Sequence, residues 1–234
     1  MNKQLKEKIR TNFLETLSIE FYSKLGWKLN KKIGCLIKDD FEVFYGETDQ
    51  SIYLVFRPYL SVKHKIIADI LNQIFPDSPI YNHVGRGQSQ ELAQMVGVEW
   101  QSAYLHEQDN YHYSIYEDTD ISPIVADHWQ YMEKVGFAFF DNFSSLERID
   151  AFFNDRLLGK SFEEFQENLN EPIGEKKWLD FYNVTGANYG LVSAFLIKNK
   201  NIKEIIKRYI LLYSKYPVLE DFEKLIVHLE ANYS

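Results

Sequence analysis

The spacing of apolar side chains changes along this chain, and this change constrains the fold more than any other feature. Residues 3–24 place an apolar side chain at four-residue steps that include Leu5 and Phe13, the period of an amphipathic helix that ends at Gly26. Residues 28–60, which follow, are rich in β-branched and aromatic residues, a composition typical of β-strands. Helical spacing returns after Ser122. The sequence therefore predicts an α+β protein with a leading helix, an antiparallel sheet (a meander and a later hairpin) and an all-helical C-terminal half.

Individual elements follow from the same pattern. Three strands of an antiparallel meander are predicted within residues 28–60, with turns at 39–40 and 48–50. Ser144, with Glu147 three residues later, indicates a capping box at the start of a helix. The other predicted elements are a helix over 62–75, strands over 98–106 and 111–117, helices over 122–135, 144–157, 175–183, 187–199, 201–215 and 218–232, and a turn at 162–169.

These elements suggest two parts. We interpret residues 1–121 as an α+β half that contains the antiparallel sheet, and residues 122–234 as a helical half. No linker rich in Pro, Gly or Ser separates them, so we expect the two halves to pack as one compact unit.

Composition narrows the class of protein. The net charge of −8 and a pI near 5.3 argue against general binding to nucleic acid or to an anionic membrane. Cys35 is the only cysteine, which excludes an intramolecular disulfide, and it is predicted to be a buried strand residue. No signal segment or membrane-spanning run is recognisable, so we expect a cytoplasmic protein without a cofactor.

The first third of the chain carries one resemblance. A leading helix, the stretch "GWKLNKKIGCLIKDDFEVFYGETDQSIYLVFRPYL" and a second helix together resemble a group of small uncharacterised bacterial domains. Some members of that group are thought to be immunity proteins encoded near toxin genes. The resemblance implies a binding protein and transfers no functional residue.

The segment 104–120, "YLHEQDNYHYSIYEDTD", concentrates chemistry-bearing side chains. A hairpin that pairs His106 with His112 would put the apolar residues on one face and both histidines on the wetter face. Directly opposed Cβ atoms lie about 5 Å apart, so both rings could reach one metal ion, with Glu107 or Glu117 as a third ligand. No spaced third ligand such as that of an HExxH motif is present, and we expect no metal.

Charge gives a stronger signal than the histidines. Between Arg86 and Lys134 the chain has no basic residue, and an acidic surface of this kind favours a basic partner. Tyrosine and tryptophan within the segment are residue types that anchor interfaces. We predict partner binding by Tyr104, Glu107, Asp109, Tyr116, Glu117, Asp118, Asp120 and Trp129, while a merely solubilising surface remains the alternative. The acidic residues are Glu91, Glu99, Glu107, Asp109, Glu117, Asp118, Asp120, Asp127 and Glu133.

Two further charged stretches have structural interpretations. His128 is predicted to lie at the margin of the apolar face of its helix rather than to act as a general base. The basic residues of 198–215 are predicted to form the solvated side of a helix whose other side is core.

No nucleophile, phosphate-loop or metal-ligand motif is present, which favours a protein without catalytic activity. The sequence therefore predicts a cytoplasmic protein-binding protein, of immunity or inhibitor type, that engages a basic protein. Two alternatives stay open. One is a metal-dependent hydrolase centred on His106 and His112, and the other is a helical adaptor that docks through residues 144–232.

Overall fold

A computed structural model describes residues 2–50, 52–77, 84–106, 110–169, 184–214 and 219–233. It confirms the predicted α+β class, with a leading helix, an antiparallel sheet and a helical C-terminal half. In this part of the chain, no helix combines the length and the apolarity that a membrane span requires.

The chain divides into two compact units. Met1–Lys63 and Gly85–Phe140 form the sheet unit, and His64–Val84 and Asp141–Ser234 form the helical unit. This division differs from the boundary predicted at residue 121, because residues 122–140 pack with the sheet unit and residues 64–77 pack with the helices.

The first helix ends differently from the single helix that the spacing predicts. Helix α1 spans Lys3–Glu20, and the Asn2 side chain caps it by accepting a hydrogen bond from the Leu5 N–H at 2.9 Å. A short 3₁₀ helix, Tyr22–Leu25, follows α1. Gly26 ends it with φ of 83°, a left-handed conformation that favours glycine.

The sheet has the order β1-β2-β3-β4-β5, and β8 also pairs with β4. The first predicted strand is in fact two strands, β1 and β2, joined by a turn that the Gly34 N–H closes by donating to the Asn30 carbonyl at 2.9 Å. The strands of this sheet are β1 Lys28–Asn30, β2 Cys35–Lys38, β3 Phe41–Asp49, β4 Leu54–Val62, β5 Val84–Gln88 and β8 Tyr113–Ile115. Strands β6 Leu105–His106 and β7 Asn110–Tyr111 form a separate two-stranded sheet.

Aromatic side chains build the core of the sheet unit. Phe13 of α1 is fully buried, with its ring centroid 5.2 Å from those of Tyr45 and Phe56 and 6.1 Å from that of Tyr113. These contacts dock α1 on β3, β4 and β8. Cys35 is buried in β2 as predicted, and burial raises the pKa of its thiol to about 12.

Two further helical segments belong to the sheet unit, the second of them as far as Phe140. Helix α3 spans Ser89–Met95 and precedes β6. Helix α4, Ser122–Tyr131, continues through a π-helical stretch, Met132–Gly136, into α5, Phe137–Asn142.

The helical unit is arranged around helix α9, Val184–Leu196, in which residues 186–195 are all buried. Helices α2, α6, α10 and α11 pack against it. The helices of this unit are α2 Lys65–Ile74, α6 Leu146–Asp150 with a π-helical continuation Ala151–Asp155, α7 Arg156–Leu158, α8 Phe162–Leu169, α9 Val184–Leu196, α10 Ile202–Tyr213 and α11 Leu219–Tyr233.

A buried polar network holds this unit together. The Asn154 amide donates to Asp150 Oδ1 at 2.7 Å and to the Gly190 carbonyl at 2.8 Å, and its oxygen accepts from the Tyr209 hydroxyl at 2.9 Å. Asn199 donates to the second Asp150 oxygen at 2.7 Å. Desolvation raises the pKa of Asp150, and the two amide donors offset part of that effect.

Two helices begin at residues that the sequence did not predict. The N-cap of α6 is Ser145, whose hydroxyl accepts from the Arg148 N–H at 3.3 Å, so the predicted cap at Ser144 is wrong by one residue. The predicted turn at 162–169 is helix α8. A capping box starts it, because Ser161 Oγ accepts from the Glu164 N–H at 3.1 Å and Glu164 accepts from the Ser161 N–H at 2.8 Å.

Two other predictions concern the C-terminal part. Arg208, predicted on the solvated side of its helix, is 5% exposed and donates to the Leu157 and Lys160 carbonyls at 2.6 and 2.8 Å. Its guanidinium satisfies carbonyls that end α7, which local sequence does not reveal. The helix predicted over 175–183 lies outside the described residues.

Candidate partner-binding surface

Between Arg86 and Lys134, three of the five acidic residues that are exposed in the described part of the chain lie where the chain leaves the sheet, and they are Glu117, Asp118 and Asp120. Strand β8 pairs with the start of β4, in a register that places Ile115 opposite Leu54. Tyr113 and Ile115 are buried, and the next residue, Tyr116, is 41% exposed. The edge of the sheet thus positions the first residue of the acidic turn, as we name residues 116–120.

The acidic turn is closed by its own hydrogen bonds. The Tyr116 N–H donates to Thr119 Oγ1 at 2.8 Å, and the Thr119 N–H donates to the Tyr116 carbonyl at 3.4 Å. Glu117 and Asp118 are therefore at the tip, and both are exposed.

Asp120 ends the turn two residues before α4 begins. Its carboxylate accepts from the Ser122 N–H at 3.0 Å, and this hydrogen bond lowers the pKa of Asp120. The group therefore stays ionised in moderate acid, and the turn presents three carboxylates, those of Glu117, Asp118 and Asp120.

An aromatic pair borders these charges. The Tyr116 ring lies 4.9 Å from the Tyr53 ring, with 34° between their planes. Ile52, next to Tyr53 in the chain, is 68% exposed. The turn therefore combines exposed apolar area with a dense negative charge.

The other residues of the predicted surface lie elsewhere. Tyr104 is half-buried, and its ring packs edge-on against Tyr113 at 5.2 Å. Trp129 is half-buried and stacks on Phe21 at 4.5 Å, with Phe137 edge-on at 5.5 Å, so its ring packs within the sheet unit. Glu107 and Asp109 lie outside the described residues.

Asp127 is an acidic residue between Arg86 and Lys134 that is only partly exposed. This carboxylate is half-buried and accepts hydrogen bonds from Ser102 Oγ at 2.7 Å and from the hydroxyls of Tyr111 and Tyr113 at 2.5 and 3.2 Å. These hydrogen bonds join α4 to β7, to β8 and to the segment before β6. It therefore contributes little to a partner surface.

The predicted pairing of His106 with His112 is wrong. His106 pairs with Asn110, and the His112 N–H donates to the Tyr104 carbonyl at 3.3 Å. The register is displaced by two residues. Alternation of apolar and polar residues excludes a slip of one residue but cannot distinguish registers two residues apart.

The metal hypothesis assumed that His106 pairs with His112, and the backbone register instead pairs His106 with Asn110. Among the described residues, no group of three or more His, Cys, Asp or Glu side chains could hold a metal ion.

His128, predicted at a helix margin, is instead fully buried. Its Nε2 atom lies 2.7 Å from the Tyr22 hydroxyl and 3.0 Å from the Tyr45 hydroxyl. Burial lowers the pKa of His128 to about 3. The imidazole is therefore neutral across the physiological range and ties α4 to the 3₁₀ helix and to β3.

The chain is thus an α+β protein that exposes an acidic turn beside the Tyr53–Tyr116 aromatic pair. No protein family model matches this chain, and no curated protein or solved structure matches it.

Proposed function

We propose that this is a non-catalytic protein-binding protein, of immunity or inhibitor type, that engages a basic partner through the acidic turn and its aromatic pair. One observation carries the proposal: Tyr116, which packs against Tyr53, is 41% exposed beside the exposed carboxylates of Glu117, Asp118 and Asp120. Aromatic anchors bordered by charge are typical of protein interfaces.

Charge supports a basic partner. The net charge of the chain is −8, and exposed carboxylates on a turn attract a cationic surface during diffusional encounter. The attraction acts over a Debye length of about 8 Å at physiological ionic strength, so it is sensitive to salt. The tyrosine rings would then hold the complex after encounter, because they lose water in the interface.

The test is a capture experiment followed by kinetics. Immobilised wild-type protein and an Asp118→Asn/Asp120→Asn variant are exposed to lysate from the source cells. The matched control is Asp69→Asn/Glu223→Gln, which removes two exposed carboxylates from the helical unit. We expect a basic protein to be retained by the wild type and the control and to be depleted on the variant. A captured protein that all three retain equally at every salt concentration would contradict the proposal.

Rate constants separate the two parts of the surface. Asp118→Asn/Asp120→Asn should slow association several-fold, an effect that disappears as salt rises, because rim charges act mainly on the association rate. Tyr116→Ala should instead speed dissociation by about tenfold or more, since truncation of an aromatic anchor at a hot spot costs about 2 kcal/mol or more. Surface plasmon resonance with the captured partner measures both. Equal effects of the two variants on dissociation would argue against this division of roles.

Metal content tests the alternative enzyme hypothesis. We expect protein purified without a chelator to carry no stoichiometric transition metal, because His106 pairs with Asn110 rather than with His112. Elemental analysis decides the question. About one zinc per chain, lost in a His106→Ala variant, would favour a metal-dependent hydrolase instead.

A further inference from the structure

Strand β1 lies at the edge of the sheet. It is the first strand in the sheet order and, among the described strands, pairs only with β2. In an antiparallel pair, every second residue directs its N–H and C=O away from the partner strand. Three residues of β1 pair with β2, so at least one of them directs both groups to the outer edge.

Solvent reaches this strand. Lys28 and Asn30 are exposed, and Leu29 between them is half-buried. Within the described part of the chain, the backbone groups of Lys28 and Leu29 make no hydrogen bond outside the pairing with β2. An edge of this kind is a template on which another extended chain can add as a strand.

Positive charge surrounds the edge in an otherwise acidic protein. Five lysines and no carboxylate lie between Glu20 and Asp39, whereas the whole chain has a net charge of −8. Lys28 in β1 and Lys32 in the turn that follows are exposed, and across the described residues neither has a carboxylate within 4.0 Å. Two copies paired through β1 would bring these lysines together, and their repulsion disfavours such a dimer. An acidic segment is attracted by the same charges.

The two faces of β1 differ in polarity. Leu29 pairs with Leu36, and Leu36 pairs with Val43, so the three side chains share one face of the sheet. Alternate residues of a strand share a face, which places Tyr45 there as well, and its ring contacts Phe13 of α1. Leu29 therefore lies on the α1 face, and its exposed polar neighbours in β1 lie on the opposite face.

Exposed apolar area lies beside β1 on the α1 face. Lys31, the residue after β1, forms an ion pair with Glu15 of α1. Because α1 ends five residues after Glu15 and the chain then returns into β1, the last turn of the helix runs alongside the strand. Ile19 is one turn after Glu15 on the same side of the helix, and it is 70% exposed. An apolar side chain next to Leu29 would therefore lie on the face that also bears Ile19.

We propose that the outer edge of β1 binds an extended acidic segment of another protein, which adds to the sheet as a strand. Acidic side chains of the segment lie beside Lys28, and the apolar side chains that alternate with them lie beside Leu29 on the α1 face. Backbone hydrogen bonds supply affinity, and the alternation supplies specificity. The edge shares no residue with the acidic turn, so this inference does not depend on the function proposed above.

The probe is a short fluorescent peptide in which glutamate and valine alternate. Fluorescence anisotropy compares its binding with that of three related peptides. One has the same composition with the glutamates grouped at one end, which keeps the charge and removes the alternation. A second has lysine in place of glutamate, which reverses the charge. The third is N-methylated on every residue, which keeps the side chains and removes the backbone donors.

We expect the alternating glutamate peptide to bind the wild-type protein and the N-methylated peptide to bind about tenfold more weakly or worse, because several backbone hydrogen bonds are lost. The grouped and lysine peptides should also bind more weakly. Lys28→Gln/Lys32→Gln should weaken binding of the alternating peptide several-fold, since two exposed charge pairs are lost. The matched control Lys3→Gln/Lys8→Gln removes two exposed lysines of α1 and should have a smaller effect. Thermal melts of both variants should match the wild type.

Amide hydrogen exchange locates the bound peptide on the protein. At least one amide within Lys28–Asn30 should exchange rapidly in the free protein and become protected in the complex, because it gains a partner on the added strand. The amides of the acidic turn should not change.

Four results would overturn the proposal. The first is that the alternating peptide does not bind. The second is equally tight binding of the N-methylated peptide, which would show charge attraction without strand addition. The third is equal weakening by Lys28→Gln/Lys32→Gln and by the control, which would show a response to net charge. The fourth is protection of the β1 amides that rises with the concentration of the protein alone, which would assign the edge to a second copy of this chain.

Discussion

Acidification from neutral pH to about pH 4 should cost this protein about 3 kcal/mol of folding free energy through one side chain, the imidazole of His128. Burial lowers the pKa of His128 from 6.5 to about 3. The unfolded chain therefore binds a proton on this histidine below about pH 6.5, whereas the folded protein does not do so until about pH 3. The unfolded state binds more protons in this window, so stability is lost as the pH falls through it.

A His128→Gln variant tests this contribution. Glutamine can still bond the Tyr22 and Tyr45 hydroxyls but does not titrate, so the variant should be less stable than the wild type at neutral pH. The difference between them should shrink by about 3 kcal/mol as the pH approaches 4, because the carboxylates titrate in both proteins and cancel. Urea unfolding across the pH range measures it. Parallel loss of stability in both proteins would show that the buried imidazole is not responsible.

Nuclear magnetic resonance gives a direct reading of the same group. The ring nitrogens of His128 should keep the shifts of a neutral imidazole at about pH 4, well below the usual histidine pKa of about 6.5. Protonation of this ring near pH 6 in the folded protein would contradict the structure.

Gly190→Ala should destabilise the protein by about 3 kcal/mol, although alanine is the better helix former by about 1 kcal/mol. A Cβ at position 190 would lie 2.6 Å from the Tyr209 hydroxyl and 2.8 Å from Phe153 Cβ. Both neighbours are buried, and the Tyr209 hydroxyl is held by its bond to Asn154. The methyl group would therefore force α9 away from its neighbours.

The hydroxyl can be removed to test this explanation. Tyr209→Phe alone should cost about 1 to 2 kcal/mol, because it leaves the buried Asn154 oxygen without its donor. In the Tyr209→Phe background Gly190→Ala should cost less than in the wild type, since one of the two close contacts is gone. A double-mutant cycle on unfolding free energies measures this coupling. Strict additivity would mean that the Tyr209 hydroxyl is not the obstacle.

The candidate site was predictable only in part. The absence of basic residues between Arg86 and Lys134 indicates an acidic surface, and the alternation in 111–116 correctly predicts which side chains of β8 are buried. Neither pattern shows that Asp127 turns inward to accept from Tyr111, or that Tyr53 comes to lie beside Tyr116. These contacts join segments far apart in the chain, and local periodicity contains no information about them.

The sequence by itself determined the α+β class, the positions of most helices and the buried face of β8. Such features follow from the spacing of apolar residues within one segment, because each segment must bury its own apolar side. The exact residue at which a helix begins was harder to predict. Ser144 and Ser145 both suit an N-cap, and the structure places the cap of α6 at Ser145.

Only the tertiary structure decided what His128 does. The side chain is buried because two tyrosine hydroxyls, which come from positions 106 and 83 residues earlier in the chain, converge on one ring nitrogen. A histidine at the margin of an apolar face is compatible with solvent or with core, and the choice depends on whether distant partners compensate the loss of hydration.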